Sequence, residues 1–252
     1  MSEIPSWIRR RVPASYGNEV EKILRSLSLH TVCESAHCPN IGECFGRGTA
    51  TFLIMGEICT RNCGFCAVKK GQPLPLDPGE PLRVAQAARA LALRHVVITS
   101  VTRDDLPDGG AGHFAQVIKA VRGALPSVTV EILTPDFQGR EETLKVFEEN
   151  PPDIFNHNVE TVPRLYSEVR PLAQYERSLL ILQRFKALFP AVLTKSGFMV
   201  GLGETRAEVL EVLKNLREAG CDIVTIGQYL RPSMRHLPVR EYLPPSDFAF
   251  YE

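Results

Sequence analysis

Between residues 51 and 229, short apolar runs alternate with longer amphipathic stretches, and no other feature constrains the fold as strongly. Runs of strand length fall at 51–55, 95–100, 128–133, 154–159, 193–200 and 223–229. Between them, the stretches 82–94, 112–125, 140–149, 176–189 and 206–219 carry apolar residues at helical spacing. Pro73, Pro75, Pro78 and Pro81 break up the first connection, and Asp77 or Glu80 favours the start of the helix that follows. Repeated strand–helix–strand units predict an α/β fold with a parallel sheet and right-handed crossovers. Both a doubly wound sheet and a barrel satisfy this string.

Parallel α/β folds bind ligands beyond the carboxyl ends of their strands. Polar segments sit there in this chain, at 59–66, 99–105, 134–136, 156–160, 201–205 and 228–233. A single polar loop at a strand end is ordinary. Six of them, on the face that carries three cysteines, predict a binding cleft.

Six of the seven cysteines lie between residues 33 and 66. Cys59, Cys63 and Cys66 are spaced C-x3-C-x2-C; Cys33, Cys38 and Cys44 are spaced C-x4-C-x5-C. Disulfides suit small secreted scaffolds, and nothing else in the sequence resembles one. Zinc sites want four ligands, and neither triplet supplies a fourth; His37, beside Cys38, would strain a tetrahedral site. Iron–sulfur clusters take thiolates at such spacings, and three thiolates leave one iron of a cubane open to a substrate or cofactor. Cys221 stands alone and reads as a small apolar filler.

Lys+Arg and Asp+Glu are both 29, so no charge bias points to nucleic acid or an anionic membrane. No apolar run approaches the roughly 20 residues needed to span a bilayer, and the first residues lack a signal-peptide core. Clustered thiols then imply a reducing compartment, and the expected location is the cytoplasm. The stretch 19–29 predicts a short amphipathic helix with Val20, Ile23, Leu24 and Leu27 on one side. Arg9, Arg10 and Arg11 form a charge block, read as a solvated tail or as contact with an acidic carrier protein.

The triplet CTRNCGFC at 59–66 resembles the signature of the radical S-adenosylmethionine (SAM) superfamily. CESAHCPNIGEC at 33–44 is more restrictive and resembles the auxiliary-cluster motif of the lipoyl synthase family. TSVTRDDLPDGGAGHF at 99–114, FNHNVETVPRLY at 155–166, KSGFMVGLGET at 195–205 and GQYLRPSMRHLPV at 227–239 resemble the same family, in order along the chain. This resemblance selects the barrel: a partial (β/α)6 TIM-like barrel at 51–229, an N-terminal cluster-binding extension at 1–50 and a short C-terminal extension at 230–252. Family members typically continue into an RSSY-type tail; the sequence stops at Glu252 without that motif, so a truncated extension is expected.

What the resemblance implies is insertion of two sulfur atoms at C6 and C8 of an octanoyl chain on a protein lysine. Cys59, Cys63 and Cys66 would hold one [4Fe–4S] cluster whose open iron binds SAM, and reduction would yield a 5′-deoxyadenosyl radical. Cys33, Cys38 and Cys44 would hold a second [4Fe–4S] cluster that serves as the sulfur source. Thr99, Ser100, Asn158 and Glu160 resemble positions lining the SAM site. Arg170 is a candidate carboxylate binder. Lys195 and Ser196 alternate on their strand, so only one of them readily faces the interior, and Ser196 is taken as the binding residue. Implied partners are octanoylated lipoyl carrier domains (2-oxoacid dehydrogenase E2 subunits, the glycine cleavage H protein) and a flavodoxin or ferredoxin reductant. The competing readings are another two-cluster sulfur-inserting enzyme and a non-enzymatic electron-transfer module.

Overall fold

A computed structural model describes residues 5–8, 18–35 and 51–252. Arg9, Arg10, Arg11, Cys38 and Cys44 lie outside the described residues. The chain enters through α1 (Asn18–Ser26), which buries Val20 and Leu24, then β1 (His30–Thr31) and the single turn α2 (Val32–Ser35). Next come β2 (Thr51–Ile54), the short strands β3 (Ile58–Cys59) and β4 (Lys69–Lys70), α3 (Glu80–Ala90) and β5 (His95–Ser100). They are followed by α4 (Ala111–Ala124), β6 (Thr129–Leu133), α5 (Glu141–Leu144), β7 (Ile154–Asn156) and α6 (Tyr166–Val169). The chain closes with α7 (Tyr175–Leu188), β8 (Leu193–Val200), α8 (Arg206–Glu218), β9 (Ile223–Gln228) and α9 (Pro245–Tyr251).

Among the described residues the main sheet has seven strands in the order β1-β2-β5-β6-β7-β8-β9. Every neighbouring pair from β2 to β9 is parallel. The sheet ends at β1 and β9, so the six parallel strands form a partial barrel open on one side. Strand β1 adds an antiparallel edge, pairing His30 with Leu53 and Thr31 with Phe52. Its two residues are too few to show a period, so the sequence carries no sign of it.

The remaining departures have local causes. The helix expected at 140–149 splits into α5 and a 3₁₀ turn at Lys145–Phe147. The strand expected at 154–159 stops at Asn156, because the chain bends toward Glu160, whose φ is 65° and which bridges only to Phe198. Between the sheet and α7, Phe155 and Phe185 stack with centroids 3.8 Å apart, and Phe147 meets both rings edge-on. That aromatic block is wholly buried and fixes β7 against its covering helix.

Candidate active site: a cysteine loop over the barrel mouth

The loop after β2 is held at several points. Met55 takes a positive φ of 66°, a strained geometry for a side chain with a Cβ. Its N–H donates to Glu80 Oε2 at 2.8 Å, and that buried carboxylate also meets His113 Nε2 at 2.7 Å. Gly110, with φ 90°, is needed opposite, because a Cβ there would collide with the Met55 sulfur. Farther along, Gly64 N–H donates to Val169 O (2.9 Å), Leu237 N–H donates to Gly64 O (3.1 Å), and His236 Nε2 lies 3.2 Å from Cys66 O. Arg61, only 4% exposed, forks onto Asp104 and onto fully buried Asp136. Its charge holds the Asp136 carboxyl down at about 2, against a burial that alone would raise it.

This bracing places Cys59, Cys63 and Cys66 on the wall of one cleft of about 330 Å³ at the carboxyl ends of β2, β5, β6 and β7. Among the described residues no three His, Cys, Asp or Glu side chains converge on a single ion. A cubane does not ask them to, since it takes one thiolate at each of three iron corners, and the three thiols of this loop fit that demand. Burial pushes the Cys63 thiol up and the Cys66 thiol up to about 11, so metal loading here displaces protons. Val32 lines the same cleft, while Cys33, next to it in sequence, is buried and is not among the lining residues.

Thr99, Ser100, Asn158, Glu160 and Arg170 all line the cleft with the three cysteines. Thr99 Oγ1 donates to Leu133 O at 3.0 Å, and Asn158 Nδ2 donates to Glu160 Oε1 at 3.2 Å. Burial raises the Glu160 carboxyl, opposed by the Arg170 charge and the Asn158 amide. Arg170 is 8% exposed and donates from Nη1 to Asn158 O at 3.0 Å. Ser100 Oγ and Arg170 Nε are buried without a hydrogen-bond partner. Orphaned polar atoms are costly in a dry interior, so a cleft lined by these residues fits a small polar ligand with amino, carboxylate and hydroxyl groups. Gly197 belongs to this design, because a Cβ there would sit 2.7 Å from Thr225 Oγ1 and 3.0 Å from Asn158 Oδ1.

Ser196 stands apart from the cleft lining: it is fully buried, and its hydroxyl accepts from Val159 N–H at 3.3 Å, bracing the segment that carries Asn158 and Glu160. Lys195 is the interior residue of the pair. Its Nζ meets Glu131 Oε1 at 2.8 Å, and Glu131 also takes Asn156 Nδ2 at 3.1 Å and His95 Nε2 at 3.3 Å. One carboxylate thereby joins β5, β6, β7 and β8. His157 also lines the cleft, but both of its ring nitrogens are engaged: burial lowers it to about 4, so neutral Nδ1–H donates to Thr134 O at 2.8 Å while Nε2 accepts from Ser178. The Gly201 turn is occupied by Glu204 and by Arg240 N–H, outside the cleft lining. Cys221 lies half-buried at the far side of β8 and β9, its thiol pushed up to about 11 by burial.

Arg61 and Glu80 escaped the sequence reading as site residues. Arg61 carried a usable signal, a cation enclosed between two cysteines of the C-x3-C-x2-C triplet; Glu80 did not, since its partners Met55 and His113 are 25 and 33 residues away.

A sequence profile described as the Radical SAM superfamily matches residues 53–216. The chain resembles crystal structures of Streptococcus suis SuiB bound to S-adenosylmethionine (TM-score 0.61, 12% identity, 79% of this chain and 44% of that one). It also resembles HydG, a maturase of the [FeFe]-hydrogenase (TM-score 0.63, 15% identity, 93% and 52%). The fold and the three-cysteine loop are those of a radical SAM enzyme. Among curated proteins, the lipoyl synthase of Caldanaerobacter subterraneus subsp. tengcongensis is 61% identical over 98% of this chain and 87% of its own length. That of Rubrobacter xylanophilus is 57% identical over 98% and 78%. The chain belongs to the lipoyl synthase family.

Proposed function

We propose that this protein inserts two sulfur atoms, at C6 and C8, into an octanoyl chain carried on a lysine of a lipoyl carrier protein. The observation that carries this reading is the single cleft in which Cys59, Cys63 and Cys66 face Ser100, Asn158, Glu160 and Arg170. When bound, a [4Fe–4S] cluster and SAM supply a 5′-deoxyadenosyl radical able to take hydrogen from an unactivated C–H bond, and a second cluster supplies sulfur.

Cys59, Cys63 and Cys66 would hold the first cluster, with SAM beside it, and Cys33, with Cys38 and Cys44, would hold the second. The unpartnered Arg170 Nε is available for the SAM carboxylate, and Asn158 and Glu160 would take its amino and ribose groups. Ser100 Oγ and the strand edge at Thr99 hold the methionyl end, while Ser196 fixes the Asn158–Glu160 segment from behind. The apolar wall of Leu53, Phe65, Val68 and Leu133 keeps water from the reacting centre. Residues 1–50 act as the cluster-binding extension, 51–229 as the barrel and 230–252 as an extension that braces the cysteine loop through Leu237. Carrier domains of 2-oxoacid dehydrogenase E2 subunits and the glycine cleavage H protein are the substrates, and a flavodoxin or ferredoxin is the electron donor. No described helix is long and apolar enough to cross a membrane, and the reducing setting such clusters need is that of the cytoplasm.

The test is an anaerobic incubation of the reconstituted chain with SAM, reductant and an octanoyl-lysyl peptide, read by mass. The expected result is 5′-deoxyadenosine together with peptide that has gained sulfur. Formation of 5′-deoxyadenosine with a peptide of unchanged mass, under conditions that sustain a known relative, would overturn the sulfur-insertion reading.

A further inference from the structure

Among the three cluster-loop thiols, Cys59 has a distinctive setting. Its Sγ accepts two backbone N–H groups, from Arg61 at 3.4 Å on its own loop and from Thr102 at 3.3 Å beyond β5. The second donor is supplied by a strand end more than forty positions away, so its aim depends on how the two segments are locked together.

The lock is visible. Thr60 N–H and Thr60 Oγ1 both donate to Thr102 O, at 3.1 and 3.0 Å, and Asp104 N–H donates back to Thr60 Oγ1 at 3.1 Å. Arg61 then closes over this zipper. Nε and Nη2 donate to the two oxygens of Asp104 at 2.7 and 2.9 Å, and Nη1 and Nη2 to those of Asp136 at 3.0 and 2.7 Å. A planar guanidinium can satisfy two carboxylates bidentately in this way, and an ammonium cannot. Asp136 is itself fixed, because its Oδ1 accepts Gln138 N–H at the start of the turn after β6.

We propose that the Arg61–Asp104–Asp136 clamp, with Thr60, is a positioning device that makes the cluster on Cys59, Cys63 and Cys66 easier to reduce by keeping two N–H donors on Cys59 Sγ. This rests on the reading that those three cysteines hold a cluster. Hydrogen bonds to cluster sulfurs are among the factors that set reduction potential. The reduced cluster carries more negative charge, so donors on its thiolate sulfur favour the reduced form. Arg61 and Thr60 act through Cys59 and touch no reacting atom.

The test uses the full chain carrying Cys33→Ala, Cys38→Ala and Cys44→Ala, so that one cluster is observed alone. The cluster's midpoint potential is followed by electron paramagnetic resonance during a redox titration. Arg61→Lys keeps the charge and loses the fork; Thr60→Val removes the zipper hydroxyl without changing charge. Each is expected to retain four irons and the wild-type spectrum type while lowering the reduced fraction at fixed solution potential, by up to about tenfold for Arg61→Lys, which is about 59 mV for a one-electron couple. Arg164→Lys, which breaks a similar fork onto Glu208 at the exposed surface, is the control and leaves the potential unchanged. Should Arg61→Lys fail to fold, Thr60→Val alone decides the matter. Variants with four irons and an unchanged potential overturn the inference and leave the site intact. A parent chain that binds no cluster overturns the site reading, and the inference with it.

Discussion

Glu131 is the residue on which the barrel interior should depend most. Burial alone would push its carboxyl up, but hydrogen bonds from His95 and Lys195, the Lys195 charge and the Asn156 amide reverse this and hold it at about 2, against an ordinary 4.5. A depression of that size is worth about 3 kcal/mol. Glu131→Gln keeps the shape and can keep Asn156 while stranding Lys195, whose side chain is 22% exposed. The expected loss at pH 7 is about 3 kcal/mol, or a Tm lower by roughly 6–12 °C for a chain of this size. Because the folded value is depressed, the advantage of wild type over Glu131→Gln is complete above pH 4.5 and disappears as pH falls through about 2. Paired thermal or denaturant melts at pH 7, 4.5 and 3 measure both. A difference below about 1 kcal/mol at pH 7, or one that stays constant down to pH 3, would refute this account.

Three further outcomes are expected. Gly197→Ala forces Asn158 and Thr225 apart and should weaken SAM binding about tenfold or more, read by calorimetry, while the melting curve stays cooperative. Reconstituted wild type should hold about eight irons, and removing either cysteine triplet should leave about four; loss of Cys59, Cys63 and Cys66 abolishes SAM cleavage, whereas loss of Cys33, Cys38 and Cys44 spares cleavage and abolishes sulfur insertion. Phe155→Ala removes a wholly buried ring stacked on Phe185 and should cost about 3–5 kcal/mol in a denaturant titration with little change in SAM affinity.

Much of this architecture is legible in the chain because the signals are local. Alternation of strand-length apolar runs with helical periods marks β2 and β5 to β9, since every side chain that faces the core repeats at a fixed interval along one segment, but their order in the sheet is not in that signal, because a doubly wound sheet shares it. The cysteine spacing is equally readable, because Cys59, Cys63 and Cys66 sit on one short loop and need no distant element to bring them together. Ser196 and Lys195 show where such reading stops. Alternation says that they face opposite ways, but only the packing of β8 against β7 and Glu131 says that Lys195 turns inward. The bend at Glu160, the strained Met55 on Glu80, and the Arg61 clamp to an aspartate 75 residues away have the same character. Each is a bargain between strand ends that meet only once the sheet has curled, where a buried charge or a positive φ is tolerated because a partner from another strand arrives in place.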